Sequence, residues 1–153
     1  MATTAHPRVG MELYHQVQAF YAKQMQLMDD GDVEPWAETF TADATIANNA
    51  NPAPATGREL ILKVARKLAA DVVSRGVQHR HWTGMLVVTE DSADQVRTQL
   101  YAMVAEIPAG GEARLWRSTF CRDTLVRGAN GWQVAQRVVT HDDIQDSRAE
   151  EQA

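Results

Sequence analysis

The sequence predicts an α+β cone, in which three N-terminal helices pack on a strongly curved antiparallel sheet within a single domain. Two observations carry this. Apolar residues recur every three or four positions up to Gly76 and every second position after it, which are the helical and extended periods. The extended half is cut into four segments by short breaks rich in Asp, Gly, Pro or Asn, the composition of hairpin connections. Helices first and hairpin-linked strands afterwards give an antiparallel sheet covered on one side. Long twisted strands of this kind curl, so a small-molecule pocket is expected between the sheet and the helices.

The first helix is expected from Val9 to Asp30. Leu13, Val17, Phe20, Tyr21, Gln24, Leu27 and Met28 share one face of it, and Gln24 is the only polar member of that stripe. Gly31 suits the left-handed position that closes a helix. Asp32 then caps a short helix with Pro35 in its first turn and Trp36 and Phe40 turned inward. Ala44–Ala47 reads as a short strand. Asn48–Ala55, with three Asn and two Pro, reads as a loop. Thr56-Gly57-Arg58-Glu59 has capping-box spacing and opens a third helix to about Arg75, whose buried stripe would be Leu60, Ile61, Val64, Leu68 and Val72. The strand segments are Val77–Thr89, Val96–Ile107, Ala113–Val126 and Trp132–Asp142. Residues 9–142 thus form the domain, residues 1–8 a flexible arm and residues 143–153 a polar tail.

Composition narrows the function classes. At 153 residues, 44% hydrophobic and 23% charged, the chain is ordinary for one folded domain. The net charge is −5, with 15 Lys and Arg scattered among 20 acids, so the basic stripe that nucleic acid binding needs is missing. Cys121 is the single cysteine, which cannot form an internal disulfide. No apolar run approaches the roughly 20 residues of a membrane span, and Met1–Gly10 does not resemble a signal peptide. The expected compartment is the cytoplasm, with neither nucleic acid nor membrane as a partner.

Chemistry is concentrated on the first long strand. Strict alternation puts Val77, His79, His81, Thr83, Met85 and Val87 on one face. Two imidazoles and a hydroxyl among apolar neighbours either line a cavity or satisfy a buried partner. His81 and His79 are therefore candidate acid–base groups, although a strand histidine is more often structural. Zinc wants three or four ligands, and no third is marked by spacing, so no metal is expected. Asp29 closes the first helix, where a carboxylate meets the negative end of the dipole. That placement is tolerable if a His or Arg sits opposite. On the last strand, Gln133, Ala135, Arg137, Val139 and His141 would share a face, with Arg137 either anchoring an anionic oxygen or pairing with an acid. Tyr14, Tyr21 and Trp36 suit the core and would also serve as an aromatic wall. The opposite face of the first long strand carries Arg80 and Trp82, which suits cover by a second subunit. No phosphate-binding glycine loop, nucleophile elbow or Cys-x-x-Cys is present, so no cofactor is expected.

The run from Phe20 to Ile46 contains Asp30-Gly31-Asp32, Trp36 and Phe40-Thr41-Ala42-Asp43-Ala44. With His81-Trp82-Thr83-Gly84 and Gly131-Trp132-Gln133-Val134, it resembles the SnoaL-like branch of the nuclear transport factor 2-like, cystatin-like superfamily. The wording Gln78–Gly84 with Arg137–Asp143 is similar to small proteins of actinomycete aromatic polyketide pathways of the actinorhodin type. Dehydratases of the superfamily use a Tyr, an Asp and a His. By motif, the resemblance puts the Asp on Asp29 and the His on His81. The Tyr position falls on Gln24, with Tyr21 one turn earlier as a substitute. The base of the steroid-isomerase branch falls on Asn48, which cannot act as one, while Asp43 would cap local backbone.

The expected catalytic set is His81, Asp29 and His79. The expected substrate contacts are Tyr14, Tyr21, Gln24, Trp36, Asn48, Thr83 and Arg137. Three functions are in view: a cofactor-free dehydratase or cyclase acting on an aromatic polyketide, a non-catalytic accessory protein like a dioxygenase small subunit, and a cofactor-free hydroxylase. A homodimer is expected in each case.

Overall fold

A computed structural model describes residues 9–144, so the expected arm at 1–8 and most of the expected tail lie outside the described residues. The elements are α1 (Met11–Asp29), α2 (Val33–Ala37), β1 (Phe40–Asn48), β2 (Asn51–Thr56), α3 (Arg58–Ser74), β3 (Val77–Ser92), β4 (Gln95–Pro108), β5 (Arg114–Gly128) and β6 (Gly131–His141). The α+β class, with helices on one face of a six-stranded sheet, is as expected. No helix among the described residues is long and apolar enough to cross a membrane.

The sheet runs β2-β1-β6-β5-β4-β3. Strands β3 to β6 form antiparallel hairpins, but β1 lies parallel to β6, so the sheet is mixed rather than purely antiparallel. The hairpin constraint applies only to strands joined by a tight turn. β1 and β6 are separated by α3 and four strands, and nothing forces them to be antiparallel. Asn51–Thr56, expected as a loop, is an edge strand paired with β1. Its prolines, Pro52 and Pro54, are exposed, where a missing N–H removes no ladder bond.

Helix α1 buries Val17, Tyr21 and Gln24 as its spacing requires, and Gly31 takes the left-handed conformation after it (φ 78°). Helix α3 departs from expectation at both its start and its face. Its N-cap is Gly57, with no side-chain cap, because Thr56 is held in β2. Its buried residues are Ile61 and Ala65, with Leu62 and Ala69 against the core, while Leu60, Val64 and Leu68 are exposed. Two stripes were compatible with the apolar spacing, and the small side chains Ala65 and Ala69 let the helix approach the sheet more closely.

Bulges reset the faces of β3 and β6. In β3 the register shifts between Gly84 and Val87, with Met85 at φ 53°. His79, His81 and Thr83 point inward, but beyond the bulge Leu86 and Val88 turn inward and Met85 and Val87 are exposed. In β6 the shift beside Ala135 puts Trp132 and Val134 inside with Arg137 and Val139, and removes Gln133 and Ala135 from that face.

Candidate active site

His81 and Asp29 meet at the junction of β3 and the end of α1. Asp29 Oδ1 lies 2.5 Å from His81 Nδ1, and Oδ2 accepts the His81 backbone N–H at 2.9 Å. Gln78 Nε2 donates to the Asp29 carbonyl at 3.0 Å, which pins the helix end to the strand. The Asp29 side chain is 7% exposed and the His81 side chain 22%. With the carboxylate ionised, Nδ1 carries the hydrogen and Nε2 the lone pair. Among the described residues, Nε2 makes no hydrogen bond. This arrangement holds an imidazole in one tautomer and leaves its basic nitrogen without a partner among the described residues, as general acid–base chemistry needs. Thr83 sits half-buried two residues along on the same face.

His79 is not part of this pair. Its Nε2 is 2.9 Å from Glu106, which also accepts from Arg75 at 2.9 Å and Arg114 at 2.6 Å. Those two guanidiniums, with His79, hold the Glu106 carboxyl down at about 2 against the opposing effect of its burial. The His79 ring stacks on Trp116, with centroids 4.5 Å apart. Its partners make it a structural residue of the sheet rather than a helper of His81.

Arg137, Tyr21 and Gln24 form a second buried network. Arg137 makes a bidentate pair with Asp123, its direct cross-strand neighbour, with bonds of 2.7 to 3.1 Å. Burial opposes the guanidinium's charge, but the Asp123 carboxylate outweighs it and raises the Arg137 pKa. The Tyr21 hydroxyl donates to Asp123 at 2.8 Å and accepts from Thr98 at 2.5 Å. Burial first, then Asp123, pushes that phenol's pKa up. Gln24 accepts from Arg137 at 2.7 Å and donates to Thr39 at 2.7 Å. All three residues are committed inside the chain. Arg137 therefore follows the pairing reading rather than the anion-anchor reading, and Tyr21 cannot take the role of a free phenol. Trp36 is likewise in the core, against Phe40 at 4.7 Å. Tyr14 reaches the Leu86 carbonyl at 3.4 Å. Asn48 accepts the Ala50 N–H at 2.9 Å and so shapes the β1–β2 turn. Asp43 accepts from the Thr41 hydroxyl at 2.9 Å rather than capping backbone.

Asp123, Glu106 and Asn49 were not singled out in the sequence. Only strand register reveals that Asp123 faces Arg137 and that Asn49 clasps the end of β6. A groove of about 1020 Å³ lies between α1, α2 and the β5–β6 turn, with Phe20, Leu27 and Trp132 among its walls, and it contains neither His81 nor Asp29. Its titratable residues, His15, Lys23, Glu38 and Arg127, do not bond to one another, so it holds no acid–base pair comparable to His81 and Asp29. Among the described residues, no three His, Cys, Asp or Glu side chains are grouped to hold a metal ion.

The chain matches the family model described as a SnoaL-like domain over residues 10–138. No curated protein matches it. Among solved structures, it is similar to Aln2 from a Streptomyces species, at 37% identity over 88% of this chain and 94% of that one, with a TM-score of 0.81. It is also similar to ActVI-ORFA from Streptomyces coelicolor, at 30% identity over 89% of this chain and 99% of that one, with a TM-score of 0.80. A protein from Catenulispora acidiphila, solved in complex with S-DNPA, is 34% identical over 94% of this chain and 100% of that one, with a TM-score of 0.75.

Proposed function

The chain belongs to the SnoaL-like domain family, and from that premise we propose that it is a cofactor-independent dehydratase or cyclase of aromatic polyketide tailoring. The observation that carries this reading is the 2.5 Å contact between Asp29 and His81 Nδ1, which leaves Nε2 as the base. Similarity to Aln2 and ActVI-ORFA supports the substrate class. The S-DNPA held by the Catenulispora acidiphila protein supports a small-molecule ligand.

In the dehydration, Nε2 removes a proton from the carbon beside a carbonyl, giving an enolate and an imidazolium held by Asp29. The enolate expels the β-hydroxyl as a C=C bond forms. The imidazolium returns its proton to that leaving oxygen, so water departs and the base is restored. In the ring closure, a hydroxyl adds to an electrophilic carbon while Nε2 takes its proton, and the same proton then goes to the neighbouring enolate carbon. Neither route consumes an oxidant or a reductant. Thr83, half-buried on the same face, would hydrogen-bond substrate beside the imidazole.

A second copy of the chain is part of this proposal. The outer sheet face exposes Trp82 (73%), Leu115 (62%), Tyr101 (52%) and Met103 (45%). Trp82 and Met103 are direct cross-strand partners, so the patch is contiguous, and such a patch on a small protein marks an interface.

Conversion of a β-hydroxy-ketone-bearing aromatic polyketide by the purified protein tests the reading. Wild type should turn it over and His81→Ala should not. Undiminished pathway output with His81→Ala would point to the accessory role, and dioxygen uptake during turnover would point to the hydroxylase.

A further inference from the structure

His141 ends β6 on the inner face, and the sheet carries it to the same surface as His81. Thr83 pairs with Ala102, Ala102 with Thr119, and Thr119 with His141, so these four form one row across β3, β4, β5 and β6. At about 4.8 Å per strand, His141 stands roughly 14 Å along the sheet from Thr83, and His81 lies next to Thr83 on the same side. The row joining Thr83 to His141 is small and uncharged, while the next row, His81–Val104–Arg117, brings in a guanidinium that bonds Asp143 at 3.4 Å. Ala102 has no polar side chain, and the Thr119 hydroxyl is turned away to donate to the Ala102 carbonyl at 2.8 Å.

The His141 ring is held in an unusual state. Its Nδ1 is enclosed without a hydrogen-bond partner, whereas buried polar atoms are nearly always paired. Among the described residues, its Nε2 makes no bond either. The backbone beneath the ring is fixed at both polar atoms, since His141 N–H donates to Asn49 Oδ1 at 2.8 Å and Asn49 Nδ2 donates to the His141 carbonyl at 3.0 Å. Protonating both nitrogens would leave an enclosed Nδ1–H with no acceptor. Burial first, then Arg117, lowers the ring's pKa, with Asp143 and Asp142 pulling the other way. A neutral ring with its hydrogen on Nε2 is the form that avoids an enclosed Nδ1–H with no acceptor.

We propose that His141 is a second substrate-binding residue, whose Nε2–H donates to an oxygen at the end of a planar ligand remote from the carbon that His81 deprotonates. This rests on the function proposed above. The span between the two imidazoles, less a hydrogen bond at each end, fits a flat ligand of about two or three fused rings with oxygen at both extremities.

S-DNPA is the probe. Calorimetric titration should show binding to wild type, an affinity loss of about tenfold in His141→Phe, and partial recovery in His141→Gln, whose amide restores a donor. In the wild-type protein, the ¹⁵N resonance of His141 Nε2 should move on saturation with S-DNPA. Equal binding by wild type and His141→Phe, or an unmoved Nε2 resonance at saturation, would overturn the inference and leave the proposed function standing. No binding of S-DNPA by wild type at millimolar concentration would remove both.

Discussion

Asp29 grips His81 at two points, the ring Nδ1 at 2.5 Å and the backbone N–H at 2.9 Å. One carboxylate therefore sets both the position of the strand and the tautomer of the ring it presents. Replacing it by Asn keeps the shape but removes the charge that stabilises the imidazolium. Asp29→Asn should lower kcat by about 10²–10⁴-fold, the usual scale of a general acid–base contribution, with a smaller change in KM. Steady-state kinetics with circular dichroism to verify folding checks this, and an unchanged kcat would count against the pair.

The Arg137–Asp123 pair should matter for stability rather than turnover. Removing one member leaves the other charge buried and alone, so Asp123→Ala should destabilise the protein by about 3–5 kcal/mol. Tyr21→Phe removes one hydroxyl from the same network and should cost about 1–3 kcal/mol. Urea denaturation reads both, and losses under about 0.5 kcal/mol, the scale of an ordinary surface substitution, would show that the network is not the anchor between α1 and β6.

Glu106 gives an acid limb to stability. Its carboxyl is held at about 2, below its ordinary value of 4.5, chiefly by Arg75 and then by Arg114 and His79. A depressed folded value means that the stabilisation is complete above about 4.5 and is lost as pH falls from there towards 2. Glu106→Gln should therefore lower the melting temperature at neutral pH and differ little from wild type near pH 2. A constant difference across that range would contradict the assignment.

The exposed outer face predicts a dimer. Sedimentation should give a two-chain species for wild type, and Trp82→Glu combined with Met103→Glu should give a single chain with intact secondary structure. A monomeric wild type would remove the second copy from the proposal.

The sequence made some of this legible and concealed the rest for identifiable reasons. Local patterns marked an inward strand histidine, His81, and a carboxylate at a helix end, Asp29, and the family resemblance is what paired them in advance. The faces beyond Gly84 could not be read, because the β3 bulge puts a methionine, Met85, where a glycine would have advertised a positive φ. Ala135 gives no sign of the β6 bulge either, since it needs no positive φ that a glycine would mark. Arg137 was ambiguous from one strand alone. Its partner lies on the neighbouring strand, and only the register Asp123 to Arg137 decides between ligand and ion pair. Pro52 and Pro54 argued for a loop, yet at the outermost strand they hinder nothing.

The clasp between Asn49 and His141 joins positions 92 residues apart, and β1 finds its parallel partner only in β6. During translation, the β1–β2 hairpin must wait unpaired until the final strand leaves the ribosome. A chain stopped short of β6 would display two further open strand edges, those of β1 and β5, beside the outer edges of β2 and β3, and both are competent to recruit other chains. Premature termination late in the message should thus yield insoluble product rather than a weakened protein.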